Sequence, residues 1–279
     1  MTIGRNLAKF ALCLTLLIGG CDYRSAATKF TYRHGGIIRG DQTRRELALV
    51  FTGGDYADGG ELIATVLAKH DVKAGFFFTG DFYRNPANAA LIRHLVADRH
   101  YLGPHSDRHL LYCSWENRDS LLVTRDEFVD DLTANYELLE EFGIPRTAAP
   151  FFIPPYEWYN ATIVRWAREA GWILINNTPG TLSHADYTIP ELVNYRDSQE
   201  IWDSIIEFEQ DQPGGLNGFL LLIHIGTHPD RTDKFYYHLD ALLNYLEQRG
   251  YSLERVDKLL AAARTSISPV EKTNSGRQQ

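Results

Sequence analysis

The 279-residue chain is 44% hydrophobic, 12% aromatic and 23% charged, the composition of an ordinary globular protein with enough length for one large core. Its formal net charge is −8, and no strongly basic stretch interrupts it, which excludes a nucleic-acid footprint and disfavours a polyanionic substrate. Length does not demand two domains, since single α/β barrels run to about 250 residues.

The chain opens with a positive start (Arg5, Lys9) and an apolar run, Phe10-Ala-Leu-Cys-Leu-Thr-Leu-Leu-Ile, too short to span a bilayer comfortably. Residues 1–20 therefore read as a signal peptide. Leu17-Ile18-Gly19-Gly20-Cys21 resembles the bacterial lipoprotein box, and that resemblance implies a lipidated Cys21 and a membrane-anchored protein of the bacterial cell envelope. Cys13 lies in the apolar run, so Cys113 is left alone and the mature chain has no internal disulfide. Residues 21–45 are polar and irregular and read as a tether; residues 266–279 read as a frayed tail. Between them, 46–265 is expected to be one domain.

Within that domain apolar strands alternate with amphipathic helices. Leu47 to Phe51 reads as a strand and Glu61 to His70 as a helix; Lys73 to Phe78 is the next strand and Asn88 to Ala97 the next helix. Asp126 to Phe142 is a longer helix, with Leu132, Tyr136 and Leu139 at helical spacing. Trp172 to Ile175 and Phe219 to Ile223 are short, wholly apolar strands of the kind covered on both faces. Leu239 to Arg249 is a helix stopped by Gly250. This order predicts an α/β fold with a parallel sheet, open or closed into a barrel, whose chemistry gathers at the C-terminal ends of the strands.

Polar residues do collect there. Gly103-Pro-His105-Ser-Asp-Arg-His109 holds two histidines four apart, a spacing that puts both imidazoles on one helical face within reach of one metal ion; His224 and His228 share that spacing. Phe51-Thr-Gly-Gly-Asp55-Tyr-Ala-Asp58-Gly59-Gly60 is a Gly-rich turn with two carboxylates entering a helix. One could bind a metal and the other take a proton from metal-activated water, although an acidic helix cap is the structural alternative. Thr227 to Arg231 is expected to line the rim beyond His224. His184 and Asp186 read as surface loop, and Cys113 as a packed small residue with no activating base nearby. The tryptophans (Trp115, Trp158, Trp166, Trp172, Trp202) suit sugar rings as well as core packing.

Taken together these segments resemble the polysaccharide deacetylases with a NodB homology domain, carbohydrate esterase family four, over roughly 46–260. "RELALVF" with its Asp/Gly turn resembles the family's first motif, TFDDG; "VKAGFFFTG" resembles the strand that follows; "HSDRH" matches H-(S/T)-x-x-H. "FFIPPYEWYN" resembles F-R-P-P-Y-G, "GFLLLIH" resembles L-x-H, and "LDALLNYLEQRGYSLERV" resembles the closing helix and strand.

The resemblance implies a single distorted (β/α) barrel and a divalent metal held by one Asp with His105 and His109, zinc suiting that donor set best. It also implies hydrolysis of an acetamide or acetate ester on a polysaccharide, with a backbone N–H near Tyr156 sharing the oxyanion and His224 as general acid. Pro155, Tyr156, Glu157 and Arg231 would contact the substrate. The chain also departs from the pattern. Where the family has two Asp after the strand, it has Thr52 and Gly53. The preferred alignment gives Asp58 to the metal with Asp55 as substitute base; the other makes Asp55 the ligand. Ile153 replaces the arginine that supports the base, and Glu157 stands where glycine is usual. Two further functions compete: a catalytically inactive glycan-binding lipoprotein, and an amide hydrolase acting on a small molecule.

Overall fold

The computed structural model describes residues 30–264; the leader, Cys21 and the 266–279 tail lie outside the described residues. The folded body begins before Glu46. Strands β1 (Thr31–Arg33) and β2 (Gly36–Arg39) form an antiparallel hairpin across His34 and Gly35. Ile37 and Ile38 are buried, and the Arg39 guanidinium donates to the carbonyls of Asn217 (2.8 Å) and Gly215 (2.7 Å). Residues 30–45 are therefore part of the domain, a correction to the tether reading. Two adjacent isoleucines among polar neighbours carried the signal.

The centre is a parallel sheet ordered β5-β4-β3-β8, from β3 (Glu46–Gly53), β4 (Gly75–Phe78), β5 (Tyr101–Pro104) and β8 (Leu220–His224). Residues Leu47 to Phe51 are all at most 1% exposed. Helices cover both sides, so these strands are apolar throughout instead of alternating; each fully buried large side chain contributes about 1.5–3 kcal/mol. β6 (Phe151–Phe152) and β7 (Ile173–Leu174) form a second parallel pair, and β9 (Ser252–Leu253) pairs with the start of β3. Single hydrogen bonds bridge the gaps in the circuit. Ile153 N–H reaches Pro104 O (3.4 Å), Asn176 N–H reaches Ile37 O (2.9 Å), and Thr178 N–H reaches Leu220 O (3.0 Å). The expected barrel is present in this distorted form, joined in places by isolated contacts instead of ladders.

The helices between strands are α1 (Gly60–Lys69), α2 (Gly80–Arg84), α3 (Ala89–Ala97), α4 (Arg125–Glu141), α5 (Ala161–Glu169), α6 (Ser198–Asp211) and α7 (Leu239–Gln248), with short α8 (Val256–Leu259) and α9 (Ala261–Arg264). In α4 a Thr124/Glu127 capping box satisfies the first N–H groups, and Leu132, Tyr136 and Leu139 are buried as their spacing requires. Gly250 takes φ 79° after α7, the left-handed turn that glycine adopts freely.

Candidate active site

The loops that leave the C-terminal ends of β3, β4, β5, β6, β7 and β8 surround a cleft of about 570 Å³. Thr52, Asp55, His105, His109, Tyr156, Glu157 and His224 line it. Sequence positions from Thr52 to His224 thus meet in one place, as strand-end chemistry requires.

The two motif histidines are not on a helix. Residues 105–109 form a turn in which Ser106 (φ 70°) and His109 (φ 54°) are left-handed. The buried Asp131 of α4 ties this turn, accepting from Ser106 Oγ (2.6 Å), Asp107 N–H (3.1 Å) and Arg108 N–H (3.0 Å). Asn135, one turn further along α4, accepts the His105 N–H at 2.9 Å. The result brings the two imidazoles together with centroids 5.1 Å apart. His105 Nδ1 is 2.9 Å from Ile153 O, which fixes that nitrogen as the donor and leaves Nε2 as the lone-pair side. Burial holds His105 well below the usual histidine range and His109 at about 4, the latter opposed by the charge of Asp55. Both are therefore neutral imidazoles at pH 7, the form a metal takes.

The structure places the two carboxylates of this turn differently. The Asp58 carboxylate accepts from Thr227 N–H (2.8 Å) and Tyr236 Oη (2.7 Å) and lies 3.0 Å from Lys234 Nζ. Burial works against its charge, but these three donors outweigh burial and hold Asp58 below the usual carboxylate range. Asp58 does not line the cleft; it clamps the β3 loop to the segment after β8. Asp55, by contrast, lines the cleft, and its charge acts on His109. Among the described residues no three His, Cys, Asp or Glu side chains are gathered closely enough to hold an ion. Two neutral imidazoles are donors of the kind a divalent metal takes, and Asp55 lines the same cleft.

His224, at the end of β8, is held by a residue read from sequence as surface loop. Its Nδ1 is 2.6 Å from Asp186 Oδ1, and its N–H donates to Asp186 Oδ2 at 2.9 Å. Asp186 is 1% exposed, in a turn at Ser183–Tyr187. Burial lowers the affinity of His224 for its proton, but the Asp186 charge and hydrogen bond more than offset it, and the net shift is upward. The buried carboxylate thus orients the imidazole and strengthens its hold on a proton.

Between the two groups lies the turn after β6. Tyr156 (φ 58°) and Glu157 (φ 53°) are consecutive left-handed residues, a conformation costing roughly 1–3 kcal/mol for a non-glycine. Glu157 N–H donates to Pro154 O (3.1 Å), and Asn176 Nδ2 donates to Glu157 O (2.8 Å), so the turn is held from both sides. Burial raises the Glu157 carboxyl to about 7, against the pull of His224 and with the push of Asp186. Tyr156 is 45% exposed, its ring 4.4 Å from that of His109.

Two expected substrate contacts lie elsewhere. Pro155 is buried within the turn itself and does not line the cleft. Arg231 is 0% exposed: its Nη1 donates to Thr188 O (2.7 Å) and Arg196 O (2.9 Å), and its guanidinium lies 5.3 Å from the Tyr195 ring. It pins the 188–196 loop from within and does not reach the rim. Cys113 is buried, and burial pushes its thiol up, as a packed residue requires.

A family model described as polysaccharide deacetylase matches residues 39–174. An uncharacterised 30.6 kDa protein of Geobacillus stearothermophilus is 26% identical over 229 residues, spanning 82% of this chain and 76% of that one. A peptidoglycan-N-acetylglucosamine deacetylase of Bacillus cereus is 22% identical over 196 residues, 70% of this chain and 66% of that protein. Among solved structures, a pseudoenzyme of carbohydrate esterase family 4 from Bacillus anthracis superposes with a TM-score of 0.63 at 19% identity, covering 82% of this chain and 70% of that one. At such identity the likeness bears on the fold.

Proposed function

The chain belongs to the polysaccharide deacetylases, carbohydrate esterase family four, as a divergent member, and on that premise we propose that it removes acetyl groups from a glycan in the cleft between His105 and His224. The observation that carries this reading is the meeting, in one cleft, of a neutral imidazole pair with a carboxylate-oriented histidine. The pair suits a Lewis acid and the second histidine suits a leaving group, and amide or ester hydrolysis needs both.

His105 and His109, with Asp55 as the cleft carboxylate whose charge reaches His109, would hold a divalent ion, zinc by donor type. When bound, the ion supplies a polarised acetyl carbonyl and a more acidic water. Glu157 is the proton acceptor. It is the cleft carboxyl beside His224, and a group near pH 7 exchanges protons readily at neutral pH. As water oxygen bonds to the acetyl carbon, Glu157 takes the water proton, and the Tyr156 N–H supports the developing oxyanion. His224, protonated and held by Asp186, gives its proton to the departing nitrogen or oxygen as that bond breaks. Proton transfer from Glu157 back to His224 restores both groups.

Acetate release from a panel of acetylated glycans, with and without chelator and added zinc, tests the proposal. Release that chelator abolishes and zinc restores is the expected result. The similar pseudoenzyme and the loss of both strand-end aspartates favour a second reading, a glycan-binding protein without turnover. Glycan binding with no release under any metal would establish it. We read residues 1–20 and Cys21 as export and lipid anchoring at the cell envelope; radiolabelled palmitate incorporation, lost in Cys21→Ala, is the corresponding test.

A further inference from the structure

Two loops meet at the β3–β8 side of the cleft. The loop leaving β3 brings Asp55 and Tyr56 to it, and the loop leaving β8 brings Thr227 and His228. They are closed on one another at several points. Gly59 N–H donates to Ile225 O at 3.0 Å. A Cβ on Gly226 would lie 2.5 Å from Ala57 N, so the two backbones approach as closely as glycine alone permits. The Tyr56 and His228 rings meet edge to face, 5.6 Å between centroids.

The centre of this closure is Lys234. Only 8% exposed, its ammonium donates to Thr227 O, Thr227 Oγ1 and His228 O, each at 2.9 Å, and lies 3.0 Å from Asp58 Oδ2. Asp58 completes the join by accepting the Thr227 N–H (2.8 Å) and the Tyr236 hydroxyl (2.7 Å). Oxygens from both loops thus converge on one buried cation. Burying an ammonium forfeits its hydration, and an apolar pair of similar volume would hold two loops as firmly. What the charged pair adds is direction, because each bond fixes one atom of the β3 loop against one of the β8 loop. The first loop carries Asp55; the second continues from His224.

We propose that Asp58 and Lys234 are positioning residues of the hydrolytic site. Without touching substrate, they hold Asp55 beside the imidazole pair and in register with His224. This rests on the reading of His105, His109 and Asp55 as metal ligands. A pair that only stabilised the fold would change the melting temperature; a positioning pair changes how tightly the site holds an ion.

Calorimetric zinc titration of the metal-free full chain tests this without turnover. Lys234→Met should weaken zinc binding about tenfold, the size expected when the support of a ligand is removed. Asp58→Asn keeps the shape, removes the charge that meets Lys234, and should weaken binding severalfold. The double variant should lose no more than Lys234→Met alone, because the two act through one contact. Leu95→Ala, a core change that does not line the cleft, should lower the melting temperature and leave zinc affinity unchanged. In acetate release by Lys234→Met, kcat should fall while KM holds. Wild-type zinc affinity in Lys234→Met overturns the positioning role and leaves the deacetylase proposal standing; an equal loss in Leu95→Ala does the same. Wild-type protein that binds no zinc overturns the metal ligands and this inference together. Where Lys234→Met does not fold, Asp58→Asn decides, and unchanged zinc affinity there again overturns the role.

Discussion

His224 Nδ1 and Asp186 Oδ1 lie 2.6 Å apart, and the same carboxylate accepts the His224 backbone N–H, so one buried aspartate fixes both the ring and the strand end that bears it. Asp186→Asn keeps the shape and removes the charge. Because Asp186 raises His224's proton affinity, its loss lowers the pH at which His224 deprotonates. A general acid works only while protonated, so the alkaline limb of the pH–rate profile should move down in pH. At neutral pH kcat should fall by roughly 10²-fold. An unmoved alkaline limb would remove His224 from the acid role.

The family's two strand-end aspartates correspond to Thr52 and Gly53, and the two sites differ in what they tolerate. A Cβ at Gly53 would meet Ile225 Cγ2 at 2.6 Å, Phe78 Cδ1 at 3.0 Å and Phe82 Cε2 at 3.1 Å, all in the packed core. Gly53→Asp should therefore fail to fold or lose more than about 3 kcal/mol. Thr52 lines the cleft, and its buried hydroxyl has no partner among the described residues. Thr52→Asp should fold, and acetate release by the variant should equal or exceed wild type. Denaturant unfolding of the two variants separates the cases.

Much of this was legible from the chain. The β3, β4 and β8 runs are so apolar that only strands covered on both faces fit them, and the motif order picked out His105, His109 and His224. What could not be read depends on partners remote in sequence. Nothing near Asp58 announces that Lys234 and Tyr236 claim its carboxylate, and nothing near Asp186 announces His224. Arg231 was expected at the rim from its place just after His224; instead its Nη1 is held inside by the carbonyls of Thr188 and Arg196. The four-residue histidine spacing suggested a helix, but Asp131 enforces a turn that brings the rings equally close.

Away from the cleft, His70 bridges α1 and α7, with Nε2 2.8 Å from Asp240 and Nδ1 2.9 Å from Glu247. Burial disfavours its charge, but the two carboxylates outweigh burial and raise its pKa above 6.5. A raised folded pKa means the stabilisation is fully present below about pH 6.5 and is lost as pH rises through the folded value. Melting temperature should accordingly decline from pH 6 to pH 8 more steeply in wild type than in His70→Gln. Parallel curves would show that the bridge does not titrate with folding.

Glu157 occupies a left-handed position that favours glycine. Glu157→Gly should relieve backbone strain of about 1 kcal/mol and raise the melting temperature by about 2–4 °C, while abolishing proton acceptance. Stability gained as activity is lost would mark this turn as strained for function. A lower melting temperature would mean that the side chain stabilises the turn.

The central claim is that the proton acceptor has moved from the end of β3 to Glu157, and the most direct measurement is steady-state acetate release by zinc-loaded wild type and Glu157→Gln on one acetylated oligosaccharide. The account predicts a fall in kcat of roughly 10²–10⁴-fold with KM and zinc affinity unchanged. A Glu157→Gln protein that releases acetate at the wild-type rate would contradict it.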